Sequence, residues 1–298
     1  MSTKGQERSF IFGNKKPSKF VEVIYKVIVT IIWGFLYTTL FGFIIGLISG
    51  YNNEILNSFL NSLIPFSFIL AVITMEKIFK DNFDRSFKIK NKDYFNKSII
   101  LVVFIYVLIY ITFLLVNKPS KYILNSDIGL KLFVSIFSNI IYGICSIYLF
   151  IGYIYNLIKS RYGYKKGIFF TSLIYTILFI INRGESSLFI PMFIFFLKMF
   201  LFILLYEFSN SLITSMVTIS IYSILHMNIL SLSYMEILNS EFLLATLDDS
   251  NNLLAYEYGA DSLLISLLLF LIIDIFLYIK FRKNEKNIIE EKKVEYGK

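Results

Sequence analysis

Three ionisable side chains lie inside otherwise apolar stretches of this chain, and each could do chemistry that its neighbours cannot: Lys198, His226 and Asp274. His226 is the single histidine among 298 residues, and an imidazole is the ordinary general base near neutral pH. Among apolar neighbours it is also the kind of side chain that joins two helices by hydrogen bonding. Lys198 sits near the middle of 186–206, where an ammonium facing lipid costs about 2.5 to 3.5 kcal/mol, so it is expected to face the bundle interior or a wet cavity. Asp274 lies at comparable depth in 262–279, and an ion pair between the two would remove the need for either to be neutral. Beyond that structural pair, the three are candidates for a ligand- or partner-binding site or, in a transporter, for a polar path. The single cysteine, Cys145, reads as a small packing residue. One Cys and one His exclude a disulfide framework and the usual Cys/His zinc site, so no metal and no other cofactor is expected.

The elements that must position these residues are membrane helices. A chain that is 56% hydrophobic, with 32 Phe and 21 Tyr, holds more apolar side chains than one soluble core can hide. A bilayer core needs about 20 apolar residues per helix, and stretches near that length recur at 27–53, 55–75, 98–117, 132–158, 167–182, 186–206, 208–235 and 262–279. The expected fold is therefore all-α: a polytopic membrane bundle of about eight helices occupying 23–281. A basic tail (1–22) precedes it and a charged tail (282–298) follows, the latter expected to be frayed.

Loop charge gives the orientation. Basic residues crowd the N-terminal tail (Lys4, Arg8, Lys15, Lys16, Lys19), the loop from Lys77 to Lys92, the turn Lys159 to Lys166, and the C-terminal tail from Lys280. The intervening loops are nearly free of them, and 236–261 carries six acids and no Lys or Arg. By the positive-inside rule both termini are cytoplasmic, which fits an even number of spans. The first twenty residues lack an apolar core, so no cleavable signal is expected. The net charge of +8 is explained by orientation and contact with anionic lipid rather than by nucleic acid. Three smaller features carry local expectations. The spacing of Phe79, Phe83, Phe87 and Ile89 allows either a short helix at the membrane surface or a solvated loop. Pro65 and Pro191 are placed to kink or open their helices, and Gly34, Gly42 and Gly46 to let another helix approach closely.

The segment CSIYLFIGYIYNLIKSRYGYKKGIFFTSLIYTILF (145–179), followed by FFLKMFLFILLYEFSNSLITSMVTISIYS (195–223), resembles the CAAX-protease and bacteriocin-processing (CPBP) family of intramembrane proteases. The shared outline within 132–235 is a long helix, a basic turn with Arg-Tyr-Gly, the TSLIY helix, a Tyr-Glu turn and the SLITS helix. Proteases of that family carry two adjacent glutamates followed by an arginine, a phenylalanine three residues before a histidine, and a second histidine before an asparagine. A carboxylate beside imidazoles can deprotonate water in a low-dielectric cavity, while an amide steadies the oxyanion. By the flanking pattern the glutamate positions hold Ser146 and Ile147, the arginine position Ile151, the first histidine position Phe179, and the last motif Ile219 and Ser223. None of Ile147, Ile151, Phe179 or Ile219 can move a proton, and Ser146 is no base at neutral pH.

The resemblance therefore implies a pseudoprotease of a bacterial plasma membrane, with the bilayer and another membrane or envelope protein as partners, or a role in bacteriocin-type self-protection. Two alternatives stand beside it. One is an active intramembrane endopeptidase with a displaced site around His226; the other is a transporter or permease subunit using Lys198, His226 and Asp274.

Overall fold

The computed structural model describes residues 18–48, 54–81, 83, 86–117, 121–124, 129–183, 189–233, 243–246 and 264–296. The expectations for most of the N-terminal tail and for nearly all of the acidic loop 236–261 lie outside the described residues. The chain folds into helices α1 (Lys19–Ile48), α2 (Glu54–Asn61), α3 (Phe66–Phe79), α4 (Lys92–Asn117), α5 (Leu130–Leu149), α6 (Asn156–Tyr162), α7 (Tyr164–Arg183), α8 (Phe189–Ser209), α9 (Leu212–Ile224) and α10 (Leu264–Tyr296). Among the described residues, six helical stretches are long and apolar enough to cross a membrane: Lys19–Ile48, Ile55–Phe79, Lys92–Thr112, Leu130–Tyr162, Met192–Ser209 and Leu212–Ile229. α7 and α10 pack in the same bundle but carry Lys165 and Lys166, or Lys280, Arg282 and Lys283, near one end.

The outer faces bear out a membrane setting. Phe43, Ile100, Phe104, Ile272 and Phe276 are all more than half exposed, an arrangement that would make a water-borne protein aggregate. Inside, Tyr106, Tyr153, Tyr155, Phe202 and Phe270 are fully buried and join the helices into one core.

Among the described residues, the helix ends that carry the basic segments gather at a single end of the bundle. There Arg161 bonds Glu22 at 2.9 Å, tying the end of α6 to the start of α1. Lys26 reaches Asp81, just beyond α3, at 2.7 Å, and Lys159 bonds Glu207 of α8 at 2.5 Å. Tyr94 of α4 stacks on Phe208, and Phe208 in turn meets Phe281 of α10 edge-on. Tight turns follow from three residues in the left-handed region, Lys80, Gly163 and Asn210. At Gly163, φ is +82°, a conformation open to glycine at little cost, and its N–H closes α6 on the Lys159 carbonyl. Three four-residue strands, β1 (Lys121–Leu124), β2 (Leu230–Ser233) and β3 (Leu243–Thr246), form a small sheet in the order β1-β3-β2. β3 pairs antiparallel to β1 and parallel to β2, a pairing that the apolar pattern alone did not announce.

Several local expectations change. The loop after α3 is neither a surface helix nor simply solvated: Phe83 meets Tyr153 edge-on, Phe87 stacks on Tyr148, and the Leu212 N–H donates to the Ser86 carbonyl at 2.9 Å. Pro65 does break its span, separating α2 from α3, whereas Pro191 lies in the first turn of α8, where a missing N–H costs nothing. Gly34, Gly42 and Gly46 bring no neighbour within 4 Å of where a Cβ would stand. The close approaches fall instead at Gly143, whose Cβ would lie 2.7 Å from Ser220 Oγ, and at Gly167, whose Cβ would lie 2.9 Å from the Tyr155 ring. α10 continues as helix through the charged tail to Tyr296, because Lys and Glu are good helix formers and no Gly or Pro intervenes before Gly297.

Candidate functional site

α5 and α9 run antiparallel along a polar seam. The Asn139 side-chain amide donates to Asn228 Oδ1 at 2.7 Å, and Asn228 Nδ2 donates to Ser135 Oγ at 2.7 Å. One turn deeper, Gly143 admits Ser220 and Ile219 against the α5 backbone. Both helices contain π-helical turns, Phe150–Tyr155 and Leu225–Ile229, an uncommon geometry that recurs at functional sites. The second of these turns holds both His226 and Asn228, buried.

Beside this seam lies a cavity of about 210 Å³. α7 supplies Tyr175 and Phe179, α8 supplies Phe195 and Lys198, α5 supplies Asn139, and α9 with its π turn supplies Ile219, Tyr222, Ser223 and His226. Three of the positions singled out by the protease resemblance, Phe179, Ile219 and Ser223, thus face one space together with two of the three ionisable candidates. Ser146, Ile147 and Ile151 do not line it. Ser146 donates to the Gly143 carbonyl at 3.1 Å, and Ile147 and Ile151 are packed in the core.

Aromatic rings define the cavity's shape. Phe179 lies 3.9 Å, centroid to centroid, from Phe195 and also touches Tyr175, which meets Phe150 edge-on at 4.9 Å. Lys198 is 8% exposed, and its ammonium sits over Tyr222 at 4.5 Å and over Phe195 at 5.2 Å, placements in which the ring quadrupoles attract the charge. His226 packs against Tyr106 and Tyr222, each with ring centroids 6.0 Å away.

The expected Lys198–Asp274 ion pair is not made. Asp274 is buried, yet neither carboxylate oxygen has a hydrogen-bond partner, and it does not line the cavity. The reason is helical phase: α10 meets α8 through Tyr278 on Phe200, and residue 200 points well away from residue 198 around a 3.6-residue turn. Asp274 lies one turn from Phe270, which touches Tyr222, so α10 reaches the far wall of the cavity by its ring and not by its carboxyl.

Sequence reasoning missed Asn139, Asn228 and Tyr222. The two amides carried a usable signal, as hydrogen-bonding groups inside the apolar runs 132–158 and 208–235, where such groups seek partners on neighbouring helices. The π turns carried none. Among the described residues no carboxylate lines the cavity, and no group of three His, Cys, Asp or Glu could hold a metal ion. The arrangement offers a cation, an imidazole, amide and hydroxyl groups and ring faces, which suit binding a polar or anionic group better than splitting a peptide bond. No family model, curated protein or solved structure matches the chain.

Proposed function

We propose that this protein is an eight-span component of a bacterial plasma membrane, with both termini cytoplasmic. In this reading it has the helix plan of the CPBP intramembrane proteases without their catalytic groups, and it binds another membrane or envelope protein. The observation that carries the reading is the meeting of Phe179, Ile219 and Ser223 on one cavity with no carboxylate in its lining. Where the family would place an imidazole, a ring packs on Phe195, which leaves a groove shaped for contact rather than proton transfer. The gathering of the basic segments at one end of the bundle supports the even span count, and the positive-inside rule makes that end cytoplasmic.

A displaced protease site would need a carboxylate beside His226, and none is among the cavity's lining residues. A transport path would need Lys198, His226 and Asp274 in one channel, and the cavity takes in only the first two.

The test pairs an activity assay with a topology assay. Purified protein is expected to leave model membrane peptides intact; turnover that disappears in His226→Ala would overturn the reading. A thiol introduced by Asn91→Cys is expected to be shielded from an impermeant reagent added outside, and labelling there would reverse the orientation.

A further inference from the structure

A second hollow, which shares no lining residue with the cavity, runs between α1 and the pair α6 and α7, with a volume of about 510 Å³. Along α1 its lining extends from Phe20 to Ile31, and along α7 from Lys166 to Leu178. The stretches are twelve and thirteen residues, about 16 to 18 Å of helix at 1.5 Å per residue. That length is about half of a hydrocarbon core roughly 30 Å thick, the depth of one leaflet. The walls are apolar throughout, and the single charge among the lining residues is Lys166, at the basic end of the bundle.

The mouth has the chemistry of a phosphate contact. Lys166 is exposed and sits over the Tyr162 ring at 5.5 Å. The Tyr162 hydroxyl, on the same lining, is buried and has no hydrogen-bond partner. Lys165 and Lys19, each next in sequence to a lining residue, are exposed, while the nearby Glu22 carboxylate is engaged by Lys26 and Arg161. The mouth therefore keeps a positive excess beside an orphaned hydroxyl, above a slot one acyl chain long.

We infer that this slot is a binding site for an anionic phospholipid of the leaflet at the basic end. One acyl chain lies along α1 and α7, and the phosphate is held by Lys166 and the Tyr162 hydroxyl. A zwitterionic lipid of the same chain length fills the slot equally well but gains nothing net from the lysines. The inference stands whether or not the cavity binds a partner protein.

The experiment uses the full chain in mild detergent, titrated with phosphatidylglycerol or with phosphatidylcholine of identical chains. Bound lipid is counted by native mass spectrometry and stability is followed by thermal melting. One phosphatidylglycerol is expected to bind and to raise the melting temperature, with phosphatidylcholine doing neither. Lys166→Gln should weaken phosphatidylglycerol about fivefold, the factor for one lysine near an anionic surface. Tyr162→Phe should weaken it as well, and Lys88→Gln, an exposed lysine elsewhere, should not. Ile28→Trp, which plugs the slot, should abolish the adduct while the unliganded melting temperature holds. Equal binding of the two lipids, insensitivity to Lys166→Gln, or cross-linked dimers through Ile28→Cys in place of a lipid adduct would each overturn the inference.

Discussion

Asp81 and Asp274 both lie against helices of the bundle, and the fold treats them in opposite ways. Asp81 accepts from Lys26 at 2.7 Å and from the Tyr153 hydroxyl at 3.1 Å, so that one carboxylate joins α1, the loop after α3 and the π turn that follows α5. Asp274 is the more deeply buried, at 3% exposure, and bonds nothing with either oxygen. At the basic end, then, charge is used as a fastener, with Lys159–Glu207 and Arg161–Glu22 repeating the pattern. Half-way along the bundle the described contacts are of another kind. There Lys198 lies over rings, the fold is held by packing and the Asn139–Asn228–Ser135 seam, and Asp274 adds no hydrogen bond. The difference separates residues that build the fold from residues whose presence the fold does not explain.

The largest effect should come from breaking the fastened end. Asp81→Ala leaves the buried Lys26 with the more distant Glu22 at 3.2 Å as its carboxylate partner and takes the Asp81 acceptor from the Tyr153 hydroxyl. Removing one member of a buried pair costs about 3 kcal/mol or more, so the protein should melt well below the parent in detergent. Gly143→Leu comes next, because its Cβ alone would stand 2.7 Å from Ser220 Oγ and 3.1 Å from Ile219 Cγ2. Overpacking of that kind costs about 1–3 kcal/mol. Gly42→Ala, with open space around it, should be neutral or slightly stabilising, by about 0.5 to 1 kcal/mol, since alanine is the better helix former. A loss at Gly42 equal to that at Gly143 would mean that the α5–α9 seam is not the tight contact.

The two regions were not equally legible in the sequence. The fastened end was readable because its signal is compositional: Lys and Arg at helix ends sort to one side whatever the packing, and among the described residues the starts of α1 and α4, the ends of α3 and α6 and the Phe281 stretch of α10 lie at one end. The Pro65 break was readable for a similar local reason, a missing N–H. The interior was read only in part. Of the positions picked out by the protease resemblance, Phe179, Ile219 and Ser223 line one cavity while Ser146, Ile147 and Ile151 do not, and the presence of Lys198 and His226 beside the first three was not announced by any motif. Asp274 does turn inward on the face it shares with Phe270 and Tyr278, but the residue of α8 that meets that face is Phe200, and two residues along a helix are about 200° around it, which is enough to part Lys198 from Asp274. The π turns at Phe150–Tyr155 and Leu225–Ile229 were invisible for a different reason, because no residue preference marks a bond from i to i+5.

A smaller effect, of opposite sign, is expected at Asp274. A buried polar group without a hydrogen bond costs about 1–3 kcal/mol, and a leucine, branched at the same carbon with the same number of heavy atoms, removes that cost without opening a void. Asp274→Leu should therefore raise the melting temperature. A fall would place a bonding partner on the carboxyl and return it to the class of Asp81.

The finest test asks whether Lys198 and Asp274 sense each other at all. Two residues in one ion pair show a coupling of 0.5–3 kcal/mol in a double-mutant cycle, on the order measured for contacts sharing a network, whereas separate sites add within about 0.5 kcal/mol. With Lys198 over Tyr222 and Phe195, and Asp274 buried on the face of α10 between Phe270 and Tyr278 with neither oxygen bonded, the second behaviour is expected. Melting of Lys198→Met, Asp274→Leu and the double variant measures it. Additive shifts keep the fastened end and the unfastened interior distinct. A double variant more stable than the sum of the single changes would mean that each substitution alone strands the other charge, and that the interior too is held by a pair.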